Sequence, residues 1–181
     1  MGKIEMITLP WRQLPPIAGD PREIRTSLTL AERDALQLLA DGRVVLEVGS
    51  AFGFSTVALA SVAAHVVAVD THSPLGSLDL MRQNLEDFGL ASQVTILVGS
   101  SASILAQLTA ASFDLAFIDA DHSFQAVQAD ALECLRLVKP GGVLAFHDYH
   151  ESSCPDVAVA LDQLFESPQT VTDTLFVARK Q

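Results

Sequence analysis

Short apolar runs rich in valine and isoleucine alternate along the chain with longer stretches whose apolar positions recur every three or four residues. The first pattern predicts strands at 43–48, 66–70, 94–98, 113–119, 143–147, 169–173 and 175–179. The second predicts helices. One opens at Thr29, where Thr29-Leu30-Ala31-Glu32 forms a capping box ahead of Leu36, Leu38 and Leu39. Others are expected at about 55–63, at 76–88 with Gly89 as the stop, and at about 102–110, 123–137 and 156–166. Pro140-Gly141-Gly142 ends the 123–137 helix and opens the fifth strand. Strands separated by helices imply right-handed crossovers and a mainly parallel sheet covered on both faces. The last two strands leave no room for a helix between them and are expected to form an antiparallel hairpin. The fold class is therefore α/β, doubly wound and Rossmann-like.

The densest information lies in residues 43–55, Arg-Val-Val-Leu-Glu-Val-Gly-Ser-Ala-Phe-Gly-Phe-Ser. A strand runs into glycines at 49 and 53 and then into a helix, a device that brings backbone N–H groups up to a ligand. A dinucleotide fingerprint places glycines at the first, third and sixth positions of such a turn, where this chain has Gly49, Ala51 and Phe54. The middle glycine, which lets a pyrophosphate approach, is missing. Glu47 at the strand end also suits a ligand with an ammonium group better than a diphosphate. Asp70 ends the second strand about twenty residues after Gly49, where a carboxylate can accept both ribose hydroxyls of a nucleoside. After the third strand, Ser101 is placed either to bond a ligand or to cap the following helix. The fourth strand delivers Asp119, Asp121 and His122, and the fifth delivers His147, Asp148 and His150. If those strands are neighbours, three carboxylates and three histidines converge on one sheet edge, where clustered titratable groups mark a site.

Glu47, Gly49, Gly53 and Ser55 complete the first motif, acidic-x-Gly-x-x-x-Gly-x-Ser, of the small-molecule O-methyltransferase branch of the class I S-adenosylmethionine-dependent methyltransferases, which this chain resembles over about residues 29–179. The resemblance implies strand order 3-2-1-4-5-7-6 with the hairpin at one edge. It implies S-adenosylmethionine as cofactor, held by Glu47, Gly49, Ser50, Gly53, Ser55, Asp70, Ser101 and Asp119. In the cation-dependent members an aspartate ends strand four and an acidic or Asp-Asn pair ends strand five. Asp119 and Asp148 match those positions, whereas His147 replaces a carboxylate. A Mg²⁺ or Mn²⁺ site at Asp119, His147 and Asp148 is expected on this basis, with the same three residues as the catalytic set. Two routes stand open for removing the acceptor's proton: activation by the cation, or His147 acting as general base.

Composition narrows the partners. A net charge of −11 argues against a nucleic-acid or anionic-membrane partner. No apolar run is long enough to cross a bilayer, and the N-terminus lacks a signal-like pattern. Cys134 and Cys154 have neither disulfide density nor metal-ligand spacing and read as reduced thiols, so a cytoplasmic protein is expected. Residues 1–28 hold Trp11 and the prolines at 10, 15, 16 and 21. They are read as an irregular arm or lid ahead of a domain at 29–181, and a homodimer is expected in which that arm covers a neighbour. Three functions follow: transfer of a methyl group to a hydroxyl of a small molecule, non-catalytic binding of S-adenosylmethionine, or nicotinamide-dependent oxidation and reduction. The first is preferred.

Overall fold

A computed structural model describes residues 24–73, 76–165 and 170–181. Its elements are α1 Leu30–Ala40, β1 Val44–Val48, α2 Phe54–Ala60, β2 His65–Asp70, α3 Ser77–Asp87, β3 Val94–Val98, α4 Ser101–Leu105, β4 Phe113–Ile118, α5 Phe124–Leu137, β5 Val138–Phe146, α6 Pro155–Leu164, β6 Thr170–Thr172 and β7 Leu175–Arg179. The seven strands form one sheet in the order β3-β2-β1-β4-β5-β7-β6, as expected. The first five are parallel. β7 runs antiparallel to both β5 and β6.

Alternation along the strands produces two separate hydrophobic layers, because successive side chains point to opposite faces. Val45, Val66, Ala68, Leu115, Phe117 and Val143 pack with Leu36, Val57, Met81 and Leu85 of α1, α2 and α3. Leu46, Val69, Ala116, Ile118, Leu144 and Phe146 pack with Leu105, Val127, Ala131, Leu137 and Leu161 of α4, α5 and α6. Ile24 and Leu28 are buried in the first layer, so the residues just before α1 belong to the packed unit. Trp11 and the rest of the expected arm lie outside the described residues.

Of the boundaries that differ from the sequence reading, three bear on the site or the sheet. β5 begins at Val138, directly after α5, and the ladder skips from Phe113↔Val138 to Leu115↔Val143. Pro140 has no N–H for the ladder and Gly141 sits at φ 77°, so Pro140-Gly141-Gly142 forms a bulge inside the strand rather than its start. α4 stops at Leu105, short of the expected 110. The chain instead turns at Ala111 (φ 53°) to place the Ser112 N–H on the Leu137 carbonyl at 2.8 Å. β5 also ends at Phe146, leaving His147 just beyond it. Among the described residues no helix is long and apolar enough to cross a membrane.

The ladder continues one residue past each central strand. Gly49 N–H donates to Val69 O (2.8 Å), Asp119 N–H to Val48 O (2.8 Å) and His147 N–H to Ile118 O (3.0 Å). The first residues after β1, β4 and β5 are therefore held in register at one edge. That edge carries the candidate site.

Candidate active site

The turn after β1 is built on a glycine that nothing else can replace. Gly49 has φ 90°, and a Cβ there would lie 1.9 Å from the Asp119 carbonyl oxygen. The missing side chain thus lets the β1 turn close directly on the end of β4. Ser50 and Ala51 donate their N–H groups to Asp70 Oδ2 at 2.9 and 2.8 Å, and His72 N–H donates to Asp70 Oδ1 at 2.6 Å. Asp70 therefore braces the glycine turn as well as ending β2. A carboxylate offers about four acceptor positions, so three backbone bonds leave it room for one further hydroxyl rather than two. Two of the turn amides that the glycine motif was expected to bring up to a ligand, those of Ser50 and Ala51, are engaged by Asp70.

The remaining expected cofactor residues divide by depth. Gly53, at φ 87°, is the N-cap of α2, and a Cβ there would meet the Met81 side chain. The Ser50 and Ser55 side chains are buried, with the Ser50 hydroxyl on the Met81 sulfur at 3.5 Å, so their contribution is to the turn and helix start. Glu47 is 0% exposed: its Oε2 accepts from the Thr56 hydroxyl at 2.6 Å, and its Oε1 has no partner among the described residues. Burial pushes the Glu47 carboxyl up to about 7, against the pull of neighbouring hydroxyls. The helix cap considered for Ser101 belongs to Ser100, whose hydroxyl accepts from Ser103 N–H at 3.3 Å. The Ser101 hydroxyl instead lies against Asp130 of α5.

Glu47 carries a pH prediction. Its folded-state pKa lies above the ordinary 4.5, so folding favours the protonated carboxyl. That contribution is full below about 4.5 and is lost as pH rises through about 7. Glu47→Gln, a neutral isostere, should gain stability relative to the parent between pH 5 and 8, with little difference at pH 5. Thermal unfolding across that range tests this, and a pH-independent difference would refute it.

At the β4 and β5 ends the structure brings four of the six candidate groups together. His122 Nε2 lies 3.4 Å from Asp119 Oδ1 and 3.0 Å from Asp148 Oδ2. His147 Nδ1 lies 3.5 Å from Asp119 Oδ2 and 3.2 Å from Asp148 Oδ2. The ring alternates imidazole and carboxylate. Asp148 holds the left-handed conformation at φ 61°, a strained backbone of the kind that functional sites retain. Asp121 stays outside, accepting from Ser123 N–H at 2.8 Å as an ordinary turn residue. His150 is exposed and lies against Tyr149.

Glu32 is the residue that sequence reasoning credited with too little. Its carboxylate caps α1 by accepting from Thr29 N–H at 2.8 Å, as predicted. It also accepts from Thr174 N–H (2.8 Å) and Thr174 Oγ1 (2.7 Å), and it lies 3.3 Å from His147 Nε2. It is 0% exposed. Burial alone would raise the Glu32 pKa, but these bonds hold it near 2. The only available signal was the capping box, which says nothing about contacts more than a hundred residues away.

These contacts alter the part assigned to His147. Burial would lower its pKa, yet Asp119, Asp148 and Glu32 together lift it to about 12. His122 is lifted to about 10 by Asp119 and Asp148. Burial would raise Asp119 and Asp148, but the two imidazoles hold both well below the usual carboxylate range. His147 thus meets Glu32 at Nε2 and Asp119 and Asp148 at Nδ1, so acting as a base or as a metal ligand would each first require its proton to leave these carboxylates. The donors do fit a divalent ion. Asp119, His147 and Asp148 each offer one atom within 4.8 Å of the others, and the buried His147 Nδ1 has no well-directed hydrogen bond despite its two carboxylate neighbours.

Comparison with known proteins agrees with the geometry. Residues 46–149, more than half of the chain, match a family described as a methyltransferase domain, and the chain belongs to that family. Its sheet order and glycine-turn motif are those of the class I S-adenosylmethionine-dependent methyltransferases. It is 34% identical over 134 residues to the catechol O-methyltransferase of Mycobacterium tuberculosis, covering 70% of this chain and 59% of that protein. Among solved structures, cofactor-bound Rv0187 from MTB aligns with a TM-score of 0.66 at 31% identity, covering 78% of this chain and 70% of that one. The O-methyltransferase from Bacillus cereus in complex with SAH aligns at 0.65 and 26%, covering 77% and 69%. The chain spans between half and about three fifths of the length of the curated relatives it matches.

Proposed function

We propose that this protein transfers the methyl group of S-adenosylmethionine to a hydroxyl of a small molecule. The observation carrying this reading is one continuous edge: the glycine turn braced by Asp70 touches, through Gly49 and the Asp119 backbone, the Asp119-His147-Asp148 cluster. Cofactor contacts and reacting groups are thereby coupled mechanically. The resemblance to O-methyltransferases supports the same reading.

S-adenosylmethionine would supply an electrophilic methyl whose leaving group departs with the cofactor, leaving the protein to align, desolvate and deprotonate the acceptor. Asp70 and the 49–53 turn would hold the nucleoside end, and Glu47 lies beneath the turn. A divalent cation held by Asp119, His147 and Asp148 would lower the pKa of an acceptor hydroxyl. His147 is kept in one ring orientation by Glu32, which presents Nδ1 to the two aspartates. Two routes serve the acceptor's proton, activation by the cation or removal by a deprotonated His147, and a chelator separates them: loss of turnover supports the cation, and unchanged turnover supports the base.

Incubation with S-adenosylmethionine and a panel of hydroxylated aromatic compounds should yield methyl ethers and S-adenosylhomocysteine, read by mass spectrometry. Cofactor binding without turnover across the panel would favour the non-catalytic alternative. The nicotinamide reading draws no support from the methyltransferase-domain match. A homodimer of a cytoplasmic protein, acting on a small molecule and not on nucleic acid or membrane, remains part of the proposal. Light scattering should show a dimer at micromolar concentration, and a monomer there would contradict it.

A further inference from the structure

We propose that Arg25 receives the carboxylate at the amino-acid end of S-adenosylmethionine, a contact that the glycine turn itself supplies poorly. This rests on the proposed function and deepens it by naming the residue that recognises one end of the cofactor. The turn's own N–H groups are largely committed. Gly49 N–H donates to Val69 O at 2.8 Å, Ser50 and Ala51 N–H to Asp70 Oδ2 at 2.9 and 2.8 Å, and Gly53 N–H to Ser50 O at 2.7 Å. The same sheet edge carries Glu47, Asp70, Asp119 and Asp148. Those groups suit the sulfonium and the ammonium of the cofactor, whereas ionised carboxylates repel a third group of their own sign. An anionic ligand group entering here needs a cation brought from another part of the chain. Arg25 brings one: its guanidinium carbon lies over the ring of Phe52, a residue of the turn, 5.9 Å from the ring centroid.

Both partners in that contact are held in place. Ile24 and Leu28, on either side of Arg25, are buried in the first hydrophobic layer, and Leu28 N–H donates to Thr26 Oγ1 at 3.0 Å. Phe52 packs against the same layer, and its carbonyl accepts from Asn84 Nδ2 at 2.9 Å. A guanidinium stacked on an aromatic face keeps the N–H groups of its edge for a second partner, and its planar fork matches a carboxylate through two parallel bonds. The other described basic side chains are committed or remote. Arg33, Arg82, Arg136 and Lys139 pair with acidic neighbours. Arg43, Arg179 and Lys180 lie by the opposite ends of β1 and β5 from the turn.

The full chain is titrated calorimetrically with S-adenosylmethionine and with decarboxylated S-adenosylmethionine, which keeps the sulfonium and the ammonium and lacks only the carboxylate. The parent should bind the first about 10- to 100-fold more tightly, the range of hydrogen bonds to a charged group. Arg25→Gln should weaken S-adenosylmethionine binding by that same factor of about 10 to 100 and leave the decarboxylated ligand within about twofold, so that the variant binds the two alike. Arg25→Lys keeps the charge but loses the fork, and its preference should fall between those of the parent and Arg25→Gln. It also carries the comparison if Arg25→Gln does not give the parent's circular dichroism. Equal binding of the two ligands by the parent overturns the inference. So does a folded Arg25 variant that keeps the parent's preference, or one that weakens both ligands equally, which would mean that Arg25 only braces the turn through Phe52. Any of these results with S-adenosylmethionine still bound by the parent overturns this inference alone, and failure of the parent to bind S-adenosylmethionine overturns the proposed function.

Discussion

Asp119→Ala is expected to lower methyl transfer by about 10²- to 10⁴-fold, the range associated with losing a group that handles a proton or a developing charge. Its carboxylate lies 3.4 Å from His122 and 3.5 Å from His147, so removing it opens the ring of donors on one side. The backbone of Asp119 is untouched by the substitution, and it is the backbone that seats Gly49. S-adenosylmethionine affinity should therefore change by less than about tenfold, since a loss of 1.4 kcal/mol would be needed to reach that figure. The result to look for is a fall in kcat with the cofactor Kd nearly kept. Loss of both in parallel would mean that Asp119 serves mainly to hold the turn.

Gly49→Ala should be the most damaging change to the fold among the turn positions. The added methyl would stand 1.9 Å from the Asp119 carbonyl oxygen and 2.5 Å from its carbon, both backbone atoms, at a residue with φ 90°. Neither partner can swing away as a flexible side chain could. Strain of the left-handed backbone alone costs of order 1–3 kcal/mol, and displacement of the β4 end adds to it, so a total of about 4 kcal/mol is expected. In a chain of this size that corresponds to a fall of roughly 8–16 °C in Tm. Gly42→Ala is the control. It too has positive φ (67°), but a Cβ there meets nothing within 4 Å, so only the backbone strain should appear. Equal melting temperatures for the two variants would show that the turn does not close on β4 as described.

Much of this architecture was legible in the chain because its signals are local. Strand order followed from the glycine motif at 47–55 and its family resemblance, and the alternation of short apolar runs with helical periodicity supplied the elements. The hairpin followed from the short gap between the last two strands. Residues at the strand ends were found because the sheet itself puts Asp70, Asp119 and His147 at one edge. The misreadings are of two kinds. Ser100 and Ser101 differ by one position in which hydroxyl faces the helix amides, and propensity does not distinguish adjacent serines. Glu32 and Cys154 were missed because their partners come from far along the chain, and each had a sufficient local explanation as a cap or a thiol. The carboxylates surrounding His147 were illegible for the same reason. Whether an imidazole is free depends on how many carboxylates surround it, and here three do.

The central claim is that S-adenosylmethionine sits across the glycine turn and Asp70, and calorimetric titration with that cofactor and with NAD tests it most directly. One S-adenosylmethionine should bind per chain with NAD at least about 100-fold weaker. Asp70→Ala should weaken S-adenosylmethionine binding by about 1.5–3 kcal/mol, since it removes a charged acceptor and releases the Ser50, Ala51 and His72 amides. Unchanged affinity in a folded Asp70→Ala variant, or NAD binding as tight as S-adenosylmethionine, would contradict it.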